Sequence, residues 1–227
     1  MPLPVDPVAL IRSVNVGRRE ANPAKRVGVT GHGKRPVESA VLRAPGPKRG
    51  GLGSGLVGDF IGDVASHGGD RQAVYAVARE ELDWWAERLG RPLADGSFGE
   101  NLTIEGLDVD DGRVGDRWTV GDAVVLEVTG PRIPCVTFAH RMGEPGWLKT
   151  FTAVGRTGAY LAVVAGGTVR PGDAVTLTER APHGIGLVET FRAFMGDSDA
   201  AAAVLAAGIL PDDEADWLRE RVAAAPH

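Results

Sequence analysis

The sequence predicts a mainly β protein with α-helical additions: a barrel or sandwich with flanking helices, followed by a small three-helix appendage. The chain holds 32 glycines and 15 prolines among its 227 residues, which is typical of many tight turns. Short Val- and Leu-rich segments recur between those turns and indicate strands. Toward the C-terminus the composition changes to Ala, Leu, Glu and Arg, which favours helices.

The N-terminal part of the chain is predicted to contain strands, a long loop and one helix. We expect short strands at Ile11–Val16 and Val27–Thr30, and a loop over the Gly- and Pro-rich basic segment Arg43–Gly58. Further along, apolar residues recur at helical spacing: Val74, Ala78, Leu82, Trp85 and Leu89. This spacing predicts one amphipathic helix over Gln72–Leu89, ended by Gly90.

The second half of the body has the pattern of a turn-rich β structure. Its predicted strands are Leu102–Glu105, Ala123–Thr129, Gly158–Val164 and Ala174–Thr178. Gly-Asp pairs stand between them, at Gly115-Asp116, Gly121-Asp122 and Gly172-Asp173. Because Gly tolerates positive φ and Asp bonds to its own backbone, we interpret these pairs as tight turns.

The C-terminal segment is predicted to form three helices, at Leu187–Met195, Asp199–Ala207 and Pro211–Ala224, behind a hinge at His183–Gly186. We therefore expect two domains, residues 1–182 and 183–227. The helices carry more large apolar residues than three short helices can bury alone. We expect them to pack against the body or against a second subunit in a homodimer.

Composition excludes several classes of protein. The formal net charge of −5 argues against a protein that mainly binds nucleic acid. A single cysteine cannot form an internal disulfide, which suits a reducing compartment. No apolar run reaches the roughly 20 residues of a membrane span, and Met1–Ala9 lacks the pattern of a secretory signal. We expect a cytoplasmic protein.

The strongest chemical signal is the segment that ends at Cys135, which reads Thr-Gly-Pro-Arg-Ile-Pro-Cys. Its two prolines restrict the backbone and remove two N–H donors, which is unusual at an ordinary strand end. Arg132 places a permanent cation three residues before the thiol, and a nearby cation favours the thiolate that attacks or ligates a metal. The alternative is that Cys135 is a small buried apolar residue.

Two further polar clusters accompany this segment. Ser66–Arg71 is a Gly-rich loop before the predicted helix, where backbone N–H groups favour an anion and His67, Asp70 and Arg71 would face one opening. The alternative is an ordinary helix start capped by Asp70. The other cluster, Phe98–Leu102, includes Asn101 beside a carboxylate.

Together these clusters resemble the MOSC domain, which is named after the C-terminal domain of molybdenum-cofactor sulfurases. The matching segments, in order, are Gly31–Val37, His67–Asp70, Gly99–Leu102, Gly115-Asp116, Pro131–Cys135, Arg156–Tyr160 and Gly167–Asp173. The resemblance covers about residues 10–180, and the tail resembles the three-helix extension of the bacterial YiiM-like branch. Each motif alone is weak, whereas the ordered set is specific.

The resemblance implies a MOSC-type β-barrel whose cysteine binds molybdenum in its pterin cofactor or carries sulfur. Relatives reduce N-hydroxylated compounds such as hydroxylaminopurines, and pyridoxal phosphate binding is implied at the family level only. By matching positions, Cys135 is the catalytic metal ligand, and Arg132, Lys34 and Arg71 are candidates for contacts with the cofactor's phosphate and pterin. The pocket would be lined by His67, Asp70 and Asn101.

Three functions stay open on the sequence. The first is a molybdenum-dependent oxidoreductase acting on a small N-hydroxylated substrate. The second is a sulfur carrier with a persulfide on Cys135, and the third is a cofactor-binding module without turnover. Because the sequence contains no flavin or iron–sulfur motif, a reductase would receive its electrons from a separate donor protein.

Overall fold

The computed structural model describes residues 9–224. Residues 1–8, where we expect no signal peptide, and residues 225–227, the end of the expected appendage, lie outside the described residues. The strands are β1 (Leu10–Gly17), β2 (Glu20–Ala21), β3 (Val29–Thr30), β4 (Lys34–Val37), β5 (Ala40–Leu42), β6 (Val74–Ala78), β7 (Leu102–Glu105), β8 (Arg117–Val120), β9 (Val124–Pro131), β10 (Ala159–Ala165), β11 (Gly167–Val169) and β12 (Val175–Glu179). The helices are α1 (Arg79–Leu89), α2 (Val136–Met142), α3 (Trp147–Val154), α4 (Leu187–Met195), α5 (Ser198–Ala207) and α6 (Asp212–Ala223).

Eight strands form one curved sheet in the order β12-β8-β9-β10-β6-β7-β1-β4, antiparallel except for the parallel pair β6–β7. The sheet curves until its two sides nearly meet, since Leu10 of β1 forms an isolated bridge with Ala174, just before β12. The amide of Ile11 also donates to the carbonyl of Asp173 at 2.8 Å. The predicted fold class is confirmed. The barrel is not fully closed, because a single bridge rather than a continuous pair of strands joins the two sides of the rolled sheet.

The interior of the rolled sheet is the main hydrophobic core. Buried and half-buried residues alternate along β10 and along most of β9, as expected when one face of each strand points inward. The core includes Ile11, Val74, Leu102, Trp118, Leu126 and Leu161. The strands predicted beyond residue 100 all form within a residue or two of their expected positions, whereas β8 and β11 were not anticipated.

The predicted helix over Gln72–Leu89 is wrong in its first half. Val74–Ala78 is β6, a strand between β10 and β7, and all five of its residues are buried. The apolar spacing of Val74 and Ala78 fits a helix, but an uninterrupted apolar run also fits a strand covered on both faces. The helix begins only at Arg79 and ends at Leu89, where Gly90 adopts a left-handed conformation.

Two helices after Cys135 were not predicted. Glycines at positive φ end α2 at Gly143 and bound α3 at Gly146 and Gly155, so each helix is too short to show a clear period. Together with α1 they enclose a second, aromatic cluster outside the barrel interior. Its members include Trp85, Phe98, Phe138, Trp147 and Phe151.

The three C-terminal helices form close to their predicted positions. Leu187 of α4 is buried in the barrel core, and its amide donates to the carbonyl of Gly112 at 2.8 Å. The segment that precedes α4 is also held against the body of the protein, since His183 Nε2 lies 2.8 Å from the carbonyl oxygen of Val114. The division into two domains stays a prediction. No helix within residues 9–224 combines the length and the hydropathy needed to cross a membrane.

Candidate cofactor and catalytic site

Cys135 lies between the end of β9 and the start of α2, where it is half-buried. Burial raises the pKa of the thiol, but a hydrogen bond from His67, the charge of Arg132 and the backbone N–H of Phe138 outweigh it and lower the pKa to about 6. The thiolate therefore predominates at neutral pH, and the thiolate is the form that ligates a soft metal or attacks an electrophile.

Arg132 is a buried cation, with only 4% of its surface exposed. Its guanidinium lies over the rings of Phe138 and Tyr75, at 3.9 and 5.1 Å from the centroids, and Nη2 donates to His32 Nε2 at 3.2 Å. Nη1 is buried without a hydrogen-bond partner, and no carboxylate within residues 9–224 forms a salt bridge with Arg132. A buried charge without compensation is costly, so this guanidinium is suited to an anion that enters the cavity.

His32 lies beside Arg132 and stays neutral. Burial lowers its pKa well below 6.5, and the charges of Arg132, Arg141 and Lys34 lower it further. Its ring stacks on Phe138 at a centroid distance of 5.6 Å, and its Nδ1 is buried without a hydrogen-bond partner. The cavity thus presents a fixed positive charge beside an uncharged ring.

Lys34 reaches the same cavity, but its charge is already balanced. Its Nζ forms a buried salt bridge with Asp59, whose carboxylate also accepts from the amide of Gly17 at 2.6 Å and from Ser54 Oγ at 2.7 Å. Breaking a buried pair of this kind leaves an uncompensated charge. Lys34 therefore has a structural role in the lining of the cavity. Arg132, which has an unpartnered nitrogen, is the better candidate to bind an anionic group.

Asn101 connects the Lys34–Asp59 pair to the sheet. Its Nδ2 donates to Asp59 Oδ2 at 3.1 Å and to the carbonyl oxygen of Asn15 at 3.3 Å, while its Oδ1 accepts from the amide of Tyr75 at 3.2 Å. The neighbouring Glu100 is buried and points away into its own loop. Burial raises the pKa of Glu100 to about 7, although backbone amides and the hydroxyl of Thr103 donate to it.

Two adjoining cavities meet at Cys135. The inner cavity is lined by His32, Lys34, Asp59, Tyr75, Asn101 and Arg132, among others. The outer groove is lined by Arg71, Thr129, Ile133, Phe194, Glu214 and Trp217, among others. Both are lined by Cys135, His67 and Tyr160. A group bound in either space can therefore approach the thiolate.

The structure brings five of the predicted site residues together around the inner cavity: Cys135, Arg132, Lys34, His67 and Asn101. The other two lie elsewhere. Asp70 is exposed, lines neither of the two cavities, and accepts from the amide of Gly46 at 2.8 Å. Arg71 lines only the outer groove, where it donates to the carbonyl oxygen of Thr129 at 2.8 Å and forms a salt bridge with Glu214 at 3.3 Å.

Sequence reasoning missed His32, Asp59 and Tyr75 as site residues. The signal for His32 was its position between two glycines. A Cβ on Gly31 would lie 1.8 Å from the carbonyl oxygen of Phe60, and one on Gly33 would lie 2.3 Å from a carboxylate oxygen of Glu20. The neighbour of Gly31 is backbone, which cannot move aside, so that position requires glycine and the chain is tightly packed next to the histidine.

Within residues 9–224, no three His, Cys, Asp or Glu side chains are grouped so that they could hold a metal ion. The site instead offers one soft thiolate beside a buried guanidinium that has an unpartnered nitrogen. This donor set fits a metal that arrives with ligands of its own.

Comparisons with known proteins agree with these features. A sequence model described as the MOSC domain matches residues 63–176. The protein YflK of Bacillus subtilis is 34% identical over 177 residues, 77% of this chain and 76% of YflK. A protein named reductase from Gibberella moniliformis is 35% identical over 130 residues, which cover 56% of this chain and 23% of that protein. The crystal structure of YiiM from Geobacillus stearothermophilus aligns with a TM-score of 0.73 and 26% identity, over 94% of this chain and 99% of that one.

Proposed function

This chain belongs to the MOSC domain family, and from that premise we propose that it is a molybdenum-cofactor-dependent reductase of N-hydroxylated compounds. The resemblance to the YiiM-like branch is confirmed by the alignment that covers 94% of the chain. The observation that carries the proposal is the pairing of a low-pKa thiolate, Cys135, with a buried guanidinium that has an unpartnered nitrogen.

The residues of the inner cavity fit a molybdenum–pterin cofactor. Cys135 is a soft thiolate, which suits the metal, and a cofactor whose pterin supplies further sulfur ligands needs few from the protein. The free Nη1 of Arg132 would pair with the cofactor's phosphate or with a pterin oxygen. When bound, the cofactor supplies the two-electron oxygen-atom chemistry, while the protein binds and orients.

The protein's own groups supply what the reduction of an N–OH group also needs. Converting R–NHOH to R–NH2 consumes two electrons and two protons and releases water. His67 lines both cavities together with Cys135 and lowers the pKa of that thiol, so its imidazole is placed to donate to a group that reacts there. Burial raises the pKa of Tyr160, so its phenol keeps its proton and can donate to the departing oxygen.

One experiment separates the three functions left open by the sequence. The protein is purified from a host that makes the cofactor, molybdenum and pterin per chain are measured, and reduction of a hydroxylaminopurine is followed with a chemically reduced dye. Near-stoichiometric molybdenum with turnover supports the reductase. Molybdenum without turnover indicates a binding module, and metal-free protein carrying sulfane sulfur on Cys135 indicates a sulfur carrier. Either of these last two results rejects the reductase.

A further inference from the structure

We propose that Asp110 is a positioning residue for the candidate site, and that it holds Tyr75 and Tyr160 in place beside Arg132. The inference rests on the proposed function, because it concerns the placement of Arg132, the proposed contact of the cofactor. Asp110 belongs to the short 3-10 helix Val109–Asp111, between β7 and β8, and is only 3% exposed. It lines neither of the two cavities, so any effect on the site must pass through other residues.

The carboxylate of Asp110 fixes the backbone just before β10. Its Oδ1 accepts from the amide of Thr157 at 2.6 Å and from the amide of Gly158 at 3.0 Å. Gly158 has a φ of 71°, and a Cβ at this position would lie 2.4 Å from the carbonyl oxygen of Ala76 in β6. The position therefore requires glycine, and the two amides that face the carboxylate belong to backbone that is packed tightly against β6.

The same stretch of backbone holds both tyrosines. The hydroxyl of Tyr75 donates to the carbonyl oxygen of Thr157 at 2.7 Å. Tyr160 stands two residues after Gly158 on β10, directly opposite Tyr75 of β6, and the two rings lie 5.4 Å apart. If the backbone at Thr157 and Gly158 loses its carboxylate partner, the acceptor of one phenol and the start of the strand that carries the other are both released.

Arg132 depends on neighbouring rings for its position, because it has no carboxylate partner within residues 9–224. Its guanidinium lies 5.1 Å from the ring centroid of Tyr75, and its other contacts include the ring of Phe138 and His32 Nε2. Burial raises the pKa of Tyr160 while the charge of Arg132 lowers it, so these two side chains also lie close together. A cation held by stacking follows the rings on which it lies, so a shift of either tyrosine shifts the charge beside the thiolate.

Asp116 shows the same local chemistry without this connection. It is fully buried, its oxygens accept from two backbone amides at 2.9 and 2.8 Å, and it forms a salt bridge with Arg180 at 2.9 Å. Asp110 likewise accepts from two amides, and Arg156 lies 4.0 Å from its other oxygen. One of the amides held by Asp116 precedes β8 and the other follows β12, so neither carries a tyrosine of the site. Asp116 is therefore a matched control for Asp110.

The first measurement is the rate at which iodoacetamide alkylates Cys135 in folded, cofactor-free protein. The charge of Arg132 favours the thiolate, so a displaced guanidinium slows the reaction. We expect Asp110→Ala to slow alkylation at pH 6 by roughly threefold or more. Asp116→Ala should lower the midpoint of thermal unfolding as Asp110→Ala does, yet keep the wild-type rate of alkylation. If the two folded variants are alkylated at the same rate, the proposal is overturned.

A second variant reaches the same connection from its other end. Tyr75→Phe keeps the ring and removes the hydroxyl that donates to Thr157, so it should also slow alkylation. In the Tyr75→Phe background, Asp110→Ala should slow the reaction less than it does in the wild type, because the two changes break one connection. Fully additive effects would show that Asp110 acts by another route and would overturn the proposal. A wild-type rate in Tyr75→Phe would do the same, and this variant decides alone if Asp110→Ala does not fold.

Molybdenum content separates this inference from the proposed function. In protein purified from a host that makes the cofactor, Asp110→Ala should hold roughly half or less of the wild-type molybdenum, whereas Asp116→Ala should hold as much as the wild type. If the wild type itself holds no molybdenum but alkylation depends on Asp110 and Tyr75 as expected, the positioning role stands and the proposed reductase function fails. If alkylation does not depend on Asp110, the positioning role is rejected whatever the molybdenum content.

Discussion

The guanidinium of Arg132 stacks on the ring of Phe138, with its central carbon 3.9 Å from the ring centroid. Phe138 belongs to α2, the helix that begins directly after Cys135. The same short helix therefore positions both the thiol and the aromatic face that holds the cation. Stacking of this kind suits Arg better than Lys, because the guanidinium is planar and weakly hydrated.

We predict that Arg132→Gln lowers the molybdenum content of the purified protein at least tenfold. Glutamine fills much of the same space between Phe138 and Tyr75 but carries no charge for an anionic group. The midpoint of thermal unfolding should change by only a few degrees, since Arg132 has no carboxylate partner to leave unpaired within residues 9–224. A variant that keeps its molybdenum and melts much earlier would make Arg132 a structural residue.

We predict that Cys135→Ser abolishes molybdenum binding and reductase activity and leaves the fold intact. A hydroxyl is a poor replacement for a soft thiolate ligand, whereas the half-buried position accepts an atom of similar size. Metal analysis and activity test the first part, and circular dichroism with thermal unfolding tests the second. Full reductase activity in the folded Ser variant would exclude Cys135 as the metal ligand.

We predict that His67→Gln shifts the titration of Cys135 toward higher pH. In cofactor-free protein, the rate of alkylation by iodoacetamide should fall as the pH drops through about 6, since protonation removes the thiolate. The hydrogen bond from His67 is the largest influence that lowers the thiol pKa, so its loss moves the midpoint upward. His140→Gln, which changes an exposed histidine of α2, serves as the control and should keep the wild-type midpoint.

Part of the candidate site could be predicted because its two central residues stand close together in the sequence. Cys135 and Arg132 share one Pro-rich segment, and the cavity does contain both. The partners of Asp70 and Arg71 could not be predicted, because Gly46 and Glu214 are far from them along the chain. A lysine that is paired with a buried carboxylate, such as Lys34, likewise cannot be distinguished from an unpaired one until the position of Asp59 is known.

The errors in the predicted fold have a similar origin. Val74–Ala78 is buried on both faces only because β10 and β7 flank it and other elements cover it, and these neighbours come from distant segments. Local periodicity therefore cannot separate this strand from the helix that follows it. The C-terminal helices were easier to predict, because Gly196 and Gly208 mark the ends of α4 and α5.

We predict that Glu100→Gln gains stability relative to the wild type as the pH rises from 5 to 8. Burial raises the pKa of Glu100 to about 7 in the folded protein, above its value in the unfolded chain. A carboxyl with a raised folded pKa stabilises the fold fully at low pH, and this contribution is lost as the pH rises through 7. The difference in unfolding free energy between the two proteins should shift by about 1–3 kcal/mol toward the variant. A difference that does not change with pH would contradict the shifted pKa.

We predict that a chain ending at residue 182 keeps the cofactor site but loses solubility. The described residues that line the inner cavity all precede residue 161, so molybdenum should remain bound. The cut removes Leu187, which is buried in the barrel core, and so uncovers apolar surface that promotes aggregation. It also removes Trp217 and Asp213 from the outer groove.

A second chain ending at Gly196 tests whether the removal of Leu187 causes the loss of solubility. It keeps α4, including Leu187, but lacks the groove residues of α6, namely Asp213, Glu214 and Trp217. We expect this chain to be more soluble than the shorter one and to hold as much molybdenum as the full-length protein. Light scattering and metal analysis test these two expectations. If either truncated chain is monodisperse but binds no cofactor, the C-terminal helices help to build the cofactor pocket, and the division after residue 182 is wrong.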